Sequence, residues 1–147
     1  MRVSTQFPIA VHIMLMIDAF PDKKITSEVL SVSAGCNAVI IRNLFSKLNN
    51  AGLLDTKSGK GKTTVLRPAE EITLWDIYTA VESDETDEIF KLHQNTSETC
   101  VVGSNIHSLL MPHLDEAVAA IRDVFSKVTL ADLERELTET IAKKAQT

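Results

Sequence analysis

Residues 26–66 read TSEVLSVSAGCNAVIIRNLFSKLNNAGLLDTKSGKGKTTVL, and the punctuation of this stretch decides the fold. Thr26 is a good N-cap for a short helix from Ser27 to Ala34, with Glu28, Val29, Leu30 and Val32 inside it. Gly35 breaks that helix as a C′ glycine does. A second helix is expected from about Asn37 to Asn50, because Ile40, Ile41, Leu44, Phe45 and Leu48 repeat as one apolar stripe. Gly52 closes it. Two such helices about a glycine-containing turn form a helix-turn-helix. Leu53-Leu54 then opens an extended segment. Ser58-Gly59-Lys60-Gly61-Lys62 is a turn, and Thr63-Thr64-Val65-Leu66 is rich in β-branched residues. Residues 53–66 therefore read as a β-hairpin, and a hairpin directly after a helix-turn-helix is a wing.

Helical patterns flank this unit. Ser4 is expected to cap a helix through about Ala19 with Phe7, Ala10, Val11, Met14, Leu15 and Ile17 as its apolar face, ended by Phe20-Pro21-Asp22. Thr73 opens a helix through about Val81. Glu82 to Glu88 reads as an acidic loop, and Ile89 to Val102 as irregular. The longest pattern runs from Ser104 or Asn105 to about Lys127, with Pro112 expected to kink it or mark its true start. Thr129 and Asp132 have the spacing of a capping box before a last helix with Leu130, Leu133, Leu137 and Ile141. The expected architecture is mainly α with a small β-hairpin wing (α+β). It comprises a winged helix-turn-helix DNA-binding domain (1–83), a loop and candidate sensor segment (84–103), a long dimerisation helix (104–128) and a C-terminal helix (129–147).

The chain has 147 residues and a net charge of −5. That total hides a split: residues 1–67 carry +5 and the remainder −10. A basic half on an acidic protein points to a polyanionic partner for that half. No apolar run approaches the roughly 18 residues of a membrane span. No small-residue cleavage site follows the N-terminal apolar stretch, and two cysteines cannot build a disulfide framework, so a cytoplasmic location is expected. There is no phosphate-binding loop, nucleophile elbow or HExxH motif, so catalysis is not expected.

On the second helix, Asn37, Val39, Arg42, Asn43, Ser46 and Lys47 form the candidate DNA-reading set. Arg42 suits guanine O6/N7 and Asn37 suits adenine N6/N7. Lys47 and the wing lysines Lys57, Lys60 and Lys62 suit phosphates, where point charges suffice. The long helix presents Ile106, Leu110, Leu114, Ala117, Ile121, Val124 and Phe125, a stripe suited to a symmetry mate. Paired recognition helices lie about 34 Å apart on a palindrome, so a homodimer on double-stranded DNA is expected. Cys100 precedes that helix, where a helix dipole lowers a thiol pKa; Cys36 precedes the recognition helix. Both are candidate redox sensors, and a small effector is the other candidate signal. The alternative function is a winged-helix protein-interaction module without DNA binding.

The chain also resembles a known family. The matching residues are Met1-Arg2-Val3-Ser4-Thr5, Leu44-Phe45-Ser46-Lys47-Leu48, Ala51-Gly52-Leu53, Leu66-Arg67-Pro68-Ala69-Glu70-Glu71-Ile72-Thr73-Leu74-Trp75-Asp76-Ile77 and Ala80-Val81-Glu82. They resemble the Rrf2 family of winged-helix transcription regulators. Cys100-Val101-Val102-Gly103-Ser104-Asn105-Ile106 and Thr129-Leu130-Ala131-Asp132-Leu133 are similar to its cluster-free, YwnA-like branch. The resemblance implies a dimer built on the long C-terminal helix, recognition helices in major grooves and wing tips in minor grooves. Cluster-binding members place three cysteines before the dimer helix. This chain has Cys100 alone there, so an iron–sulfur cluster and a metal are not expected, although His93 and His107 are candidate co-ligands. The wing tip, Ser58-Gly59-Lys60-Gly61-Lys62-Thr63, also departs from the family's more glycine-rich tip.

Overall fold

Helix α1 (Gln6–Ala19) is apolar on nearly every side, and Ala10, Ile13, Met14 and Ile17 are its buried residues. The computed structural model describes residues 4–56, 62–82 and 89–147. Because apolar residues surround α1, periodicity alone did not single out Ile13, which lies at the centre of the core. Thr5 occupies the N-cap position without a side-chain bond. Ser4 nevertheless serves the helix start, since its Oγ accepts from the Gln6 N–H at 3.2 Å.

Helix α2 (Ser27–Ala34) is capped by Thr26, whose side chain accepts from Val29 N–H, and ends on Gly35 at φ 66°. Helix α3 (Ala38–Asn50) follows after one short turn and buries Ile41, Leu44 and Leu48. Ile40, expected in the buried stripe, is instead exposed, and Phe45 is only half-buried. At Gly52, φ is 75°, and Leu53 N–H returns to the Leu48 carbonyl, which closes α3 and turns the chain into the hairpin. Strands β1 (Leu54–Asp55) and β2 (Thr64–Val65) pair antiparallel, Leu54 opposite Val65 and Asp55 opposite Thr64. Residues 57–61 at the wing tip lie outside the described residues, and so do Lys57 and Lys60.

A 3-10 turn at Ala69–Glu71 leads into α4 (Leu74–Glu82). The long helix is α5 (Ile106–Ser126), and α6 (Leu130–Ala145) ends the chain. Helix α5 begins ahead of Pro112, so the proline does not mark its start. The sequence Thr-Leu-x-Asp occurs before both α4 and α6, and both copies form the same reciprocal cap. Thr73 Oγ1 accepts from Asp76 N–H at 3.1 Å while Asp76 Oδ2 accepts from Thr73 N–H at 3.0 Å. The Thr129/Asp132 pair does likewise at 3.1 and 2.9 Å. The two caps meet in an antiparallel bridge: Leu74 N–H donates to the Val128 carbonyl and Leu130 N–H to the Ile72 carbonyl. This bridge returns α6 to the 3-10 turn and to α1 after the excursion along α5.

One core joins these elements. Met14, Leu30, Ile41, Leu44, Leu48, Leu53, Leu54, Ile72, Ile77 and Leu130 have essentially no exposed surface. Each such side chain contributes about 1.5–3 kcal/mol of burial. Helix α5 contributes no buried residue to this core. It touches the rest through an aromatic cluster in which Phe125 stacks on Phe7 at 5.3 Å and meets Tyr78 edge-on at 6.3 Å. Arg122 lies over the Trp75 ring, 5.1 Å from its centroid. Among the described residues no single helix is long and apolar enough to cross a membrane.

Candidate nucleic-acid interface

The outer face of α3 is built by subtraction. Ile41, Leu44 and Leu48 face the core, so Val39, Ile40, Arg42, Asn43 and Ser46 must face outward, and all five are exposed. Arg42 leans toward Glu28 of α2, with Nη2 3.6 Å from Oε1. Hydrogen bonds from its own backbone N–H, from Ser27 and from Arg42 hold the Glu28 carboxyl below its usual range. The pair is exposed, so it orients Arg42 more than it stabilises the fold. Val39, with 53% of its surface exposed, gives the face an apolar spot of the kind that contacts thymine methyls.

Two expected readers have other partners. Asn37 is the N-cap of α3, and its Oδ1 accepts from the Val39 N–H at 2.8 Å. That bond fixes the carboxamide at the helix start. Lys47 is half-buried at the edge of the outer face. Its Nζ donates to Gln6 Oε1 at 2.9 Å and to the Val81 carbonyl at 3.2 Å, tying α3 to the start of α1 and the end of α4. An ammonium held by a carbonyl in the last turn of a helix caps that helix. The sequence places Lys47 among polar positions but cannot show that α4 ends beside it.

Between the α1 start and α3 lies a cleft of about 450 Å³, lined by Thr5, Gln6, Ile40, Asn43, Ser46 and Lys47 among others. It continues the exposed α3 face. Beyond it, Ser4 Oγ donates to Glu82 Oε1, so both termini of this unit are pinned. In the wing, β1 follows α3 and packs on it, and β2 packs against α1; Lys62, just ahead of β2, is exposed.

The segment before α5 is a tight loop. Cys100 is exposed, and the backbone N–H groups of Gly103 and Val102 hold its thiol below the ordinary value. A Cβ on Gly103 would meet Ser97 O at 2.7 Å, so only glycine fits this turn. Cys36 is half-buried against the core, with its carbonyl accepting from Ser31 Oγ. His107 Nε2 and the His93 carbonyl are hydrogen-bonded at 2.9 Å, and the two imidazoles meet edge-on at 5.5 Å. Among the described residues no three His, Cys, Asp or Glu side chains converge as a metal site. Iron–sulfur clusters are held by several cysteine thiolates, and the lone Cys100 does not fit that donor set.

Of the expected dimer residues, Leu110 and Val124 are exposed, and Ile106, Leu114, Ala117 and Ile121 are half-buried. Phe125 points into its own protomer's aromatic cluster.

The sequence model described as "Rrf2: Iron-dependent Transcriptional regulator" matches residues 3–136. The "Putative HTH-type transcriptional regulator YwnA" of Bacillus subtilis (strain 168) is 27% identical over 131 residues, covering 89% of this chain and 96% of that protein. A crystal structure from Lactobacillus plantarum superposes with a TM-score of 0.74 at 26% identity and covers 96% of both chains. CymR, the global cysteine regulator of B. subtilis, shares the fold with a TM-score of 0.64 at 18% identity, covering 92% of this chain and 97% of that one.

Proposed function

Because this chain belongs to the Rrf2 family of winged-helix transcription regulators, we propose that it is a dimeric, sequence-specific DNA-binding repressor of the cytoplasm, without an iron–sulfur cluster and without catalytic activity. The observation that carries this reading is the exposed α3 face: Val39, Arg42, Asn43 and Ser46 stand together beside a wing, on the basic half of the chain. Arg42 reads guanine, Val39 packs on thymine methyls, and the wing lysines Lys57, Lys60 and Lys62 meet phosphates. Repression needs only that the bound dimer exclude other proteins from the promoter.

Helix α5 supports the dimer. Leu110, Leu114, Ala117, Ile121 and Val124 recur at alternating four- and three-residue spacing, the seam of helices that pair side by side. Leu109, 61% exposed, widens it. A two-fold axis across this seam sets two α3 helices for successive major grooves of a palindrome. The lowered Cys100 pKa at the head of the same helix makes its thiolate the natural point of oxidation, which would disturb the seam.

The test is selection of bound genomic fragments by the purified protein, reduced and then oxidised. A palindromic site recovered by the reduced protein alone supports both the regulator and the thiol switch, and Cys100→Ser should then bind in both states. Equal recovery discards the switch. No enriched site, or binding indifferent to salt, transfers the weight to a protein-interaction module, since phosphate contacts impose a steep salt dependence. On the recovered site, Lys60→Ala should weaken all sequences about equally.

A further inference from the structure

Glu28 lies in the first turn of α2, and its carboxylate faces Arg42 on the outer side of α3. A face that meets phosphates has reason to avoid anions, because each one repels the backbone it approaches. Yet this carboxylate is held in place. Its own backbone N–H and the Ser27 side chain bond to it, ahead of Arg42, and they keep it ionised. We propose that Glu28 is a positioning residue for base reading: it holds the Arg42 guanidinium in the pose that meets a guanine, which sharpens specificity at one base pair while lowering affinity for DNA in general. The proposal rests on the DNA-binding reading above and adds to it a residue of α2.

The geometry suits a guide rather than a trap. Arg42 Nη2 lies 3.6 Å from Glu28 Oε1, longer than the roughly 2.7–2.9 Å of a full charge-assisted hydrogen bond. A guanidinium carries five N–H donors, so contact at one nitrogen leaves the rest of the fork for guanine O6 and N7. Arg42 is 58% and Glu28 70% exposed, so a duplex can reach the pair. Among the described residues Glu28 is the carboxylate paired with Arg42. The core and the turn set the spacing between the two. Leu30 of α2 and Ile41 of α3 are fully buried, and Cys36 N–H donates to the Ser31 carbonyl at 3.1 Å. Asn37 then fixes the start of α3. An unguided arginine loses rotamer freedom when it binds a base; one already leaning on Glu28 loses less. Without the guide, Arg42 can turn to a phosphate, which carries no sequence information.

The test measures binding of the full chain to the operator recovered by genomic selection, to its single-base variants and to a random duplex. The proteins are the wild type, Glu28→Gln, Glu28→Asp, Arg42→Ala and the double variant Glu28→Gln with Arg42→Ala. Glu28→Gln should lose about five-fold or more of the preference at the base pair that Arg42→Ala also relaxes, and at no other. It should bind the random duplex more tightly, with a salt slope steeper by about one as Arg42 turns to a phosphate. Glu28→Asp keeps an anion at the start of α2 but is one methylene shorter, and it should lose preference at the same base pair. With Arg42 already alanine, adding Glu28→Gln should change that preference by less than about two-fold. Each variant should unfold thermally within a few degrees of the wild type. The proposal is overturned if Glu28→Gln keeps the wild-type preference or shifts every position equally. It is overturned too if Glu28→Asp behaves as wild type, if Arg42→Ala relaxes no position, or if the effect of Glu28→Gln persists without Arg42. Each of these results leaves the DNA-binding reading standing. A wild-type chain that prefers no base pair overturns both.

Discussion

Truncating Arg42 to alanine should cost about 1–3 kcal/mol of base discrimination at one operator position, read by competition between the selected site and its single-base variants. Fold stability should barely change, because the Arg42–Glu28 pair is exposed and such pairs contribute under about 1 kcal/mol. Lys47 should behave in the opposite way. Lys47→Met removes two hydrogen bonds to half-buried acceptors and should cost about 1–2 kcal/mol in a urea titration, while leaving the salt slope of DNA binding unchanged. Glu134 on α6 is the group to watch with pH. Burial first, then Asp18 and Glu70, push its carboxyl up to about 7 from the ordinary 4.5. A raised folded-state pKa means that its contribution to stability is present below pH 4.5 and is lost as pH rises through about 7. Glu134→Gln should therefore raise stability at pH 8 by about 1 kcal/mol after allowance for solvent screening, and should flatten the slope between pH 5 and 8 in thermal melts.

At the scale of elements, the paired Thr-Leu-x-Asp caps deserve a direct trial. Thr129→Ala removes one N-cap acceptor and should cost about 1 kcal/mol, readable in thermal unfolding. Thr73→Ala should cost about as much. The two effects need not add, since Thr73 and Thr129 face each other across the bridge and share neighbours. Both capped helices were legible in the sequence, because a cap is a local pattern of residue types. The bridge was not: it joins segments on either side of α5, and no local spacing announces a contact at that separation.

At the scale of the molecule, α5 is the long helix that gives no buried residue to the protomer's core. A charge placed in the seam, Leu110→Glu or Val124→Glu, should shift the protein from dimer to monomer in sedimentation experiments. It should also weaken operator binding by two or more orders of magnitude, because the second half-site is lost as an intramolecular contact. Phe125→Ala should act differently. It opens the Phe7–Tyr78 cluster and should cost about 3 kcal/mol or more in the protomer itself.

By itself the sequence determined the helices, the turn glycines Gly35 and Gly52, the hairpin after α3 and the two-helix ending, together with the face of α3 that carries Val39, Arg42, Asn43 and Ser46. These follow from caps, breakers and periodicity, which act over a few residues and can be read wherever they occur. Only the tertiary structure decided that Lys47 reaches Gln6 and the end of α4, and that Ile40 is exposed. It alone decided that Phe125 turns inward, and that a cleft opens between α1 and Leu137 of α6. The physical reason is common to all four. Each depends on which distant element supplies a carbonyl, a ring or a wall, and α1, apolar on almost every side, gave no local preference for the face that the core would take.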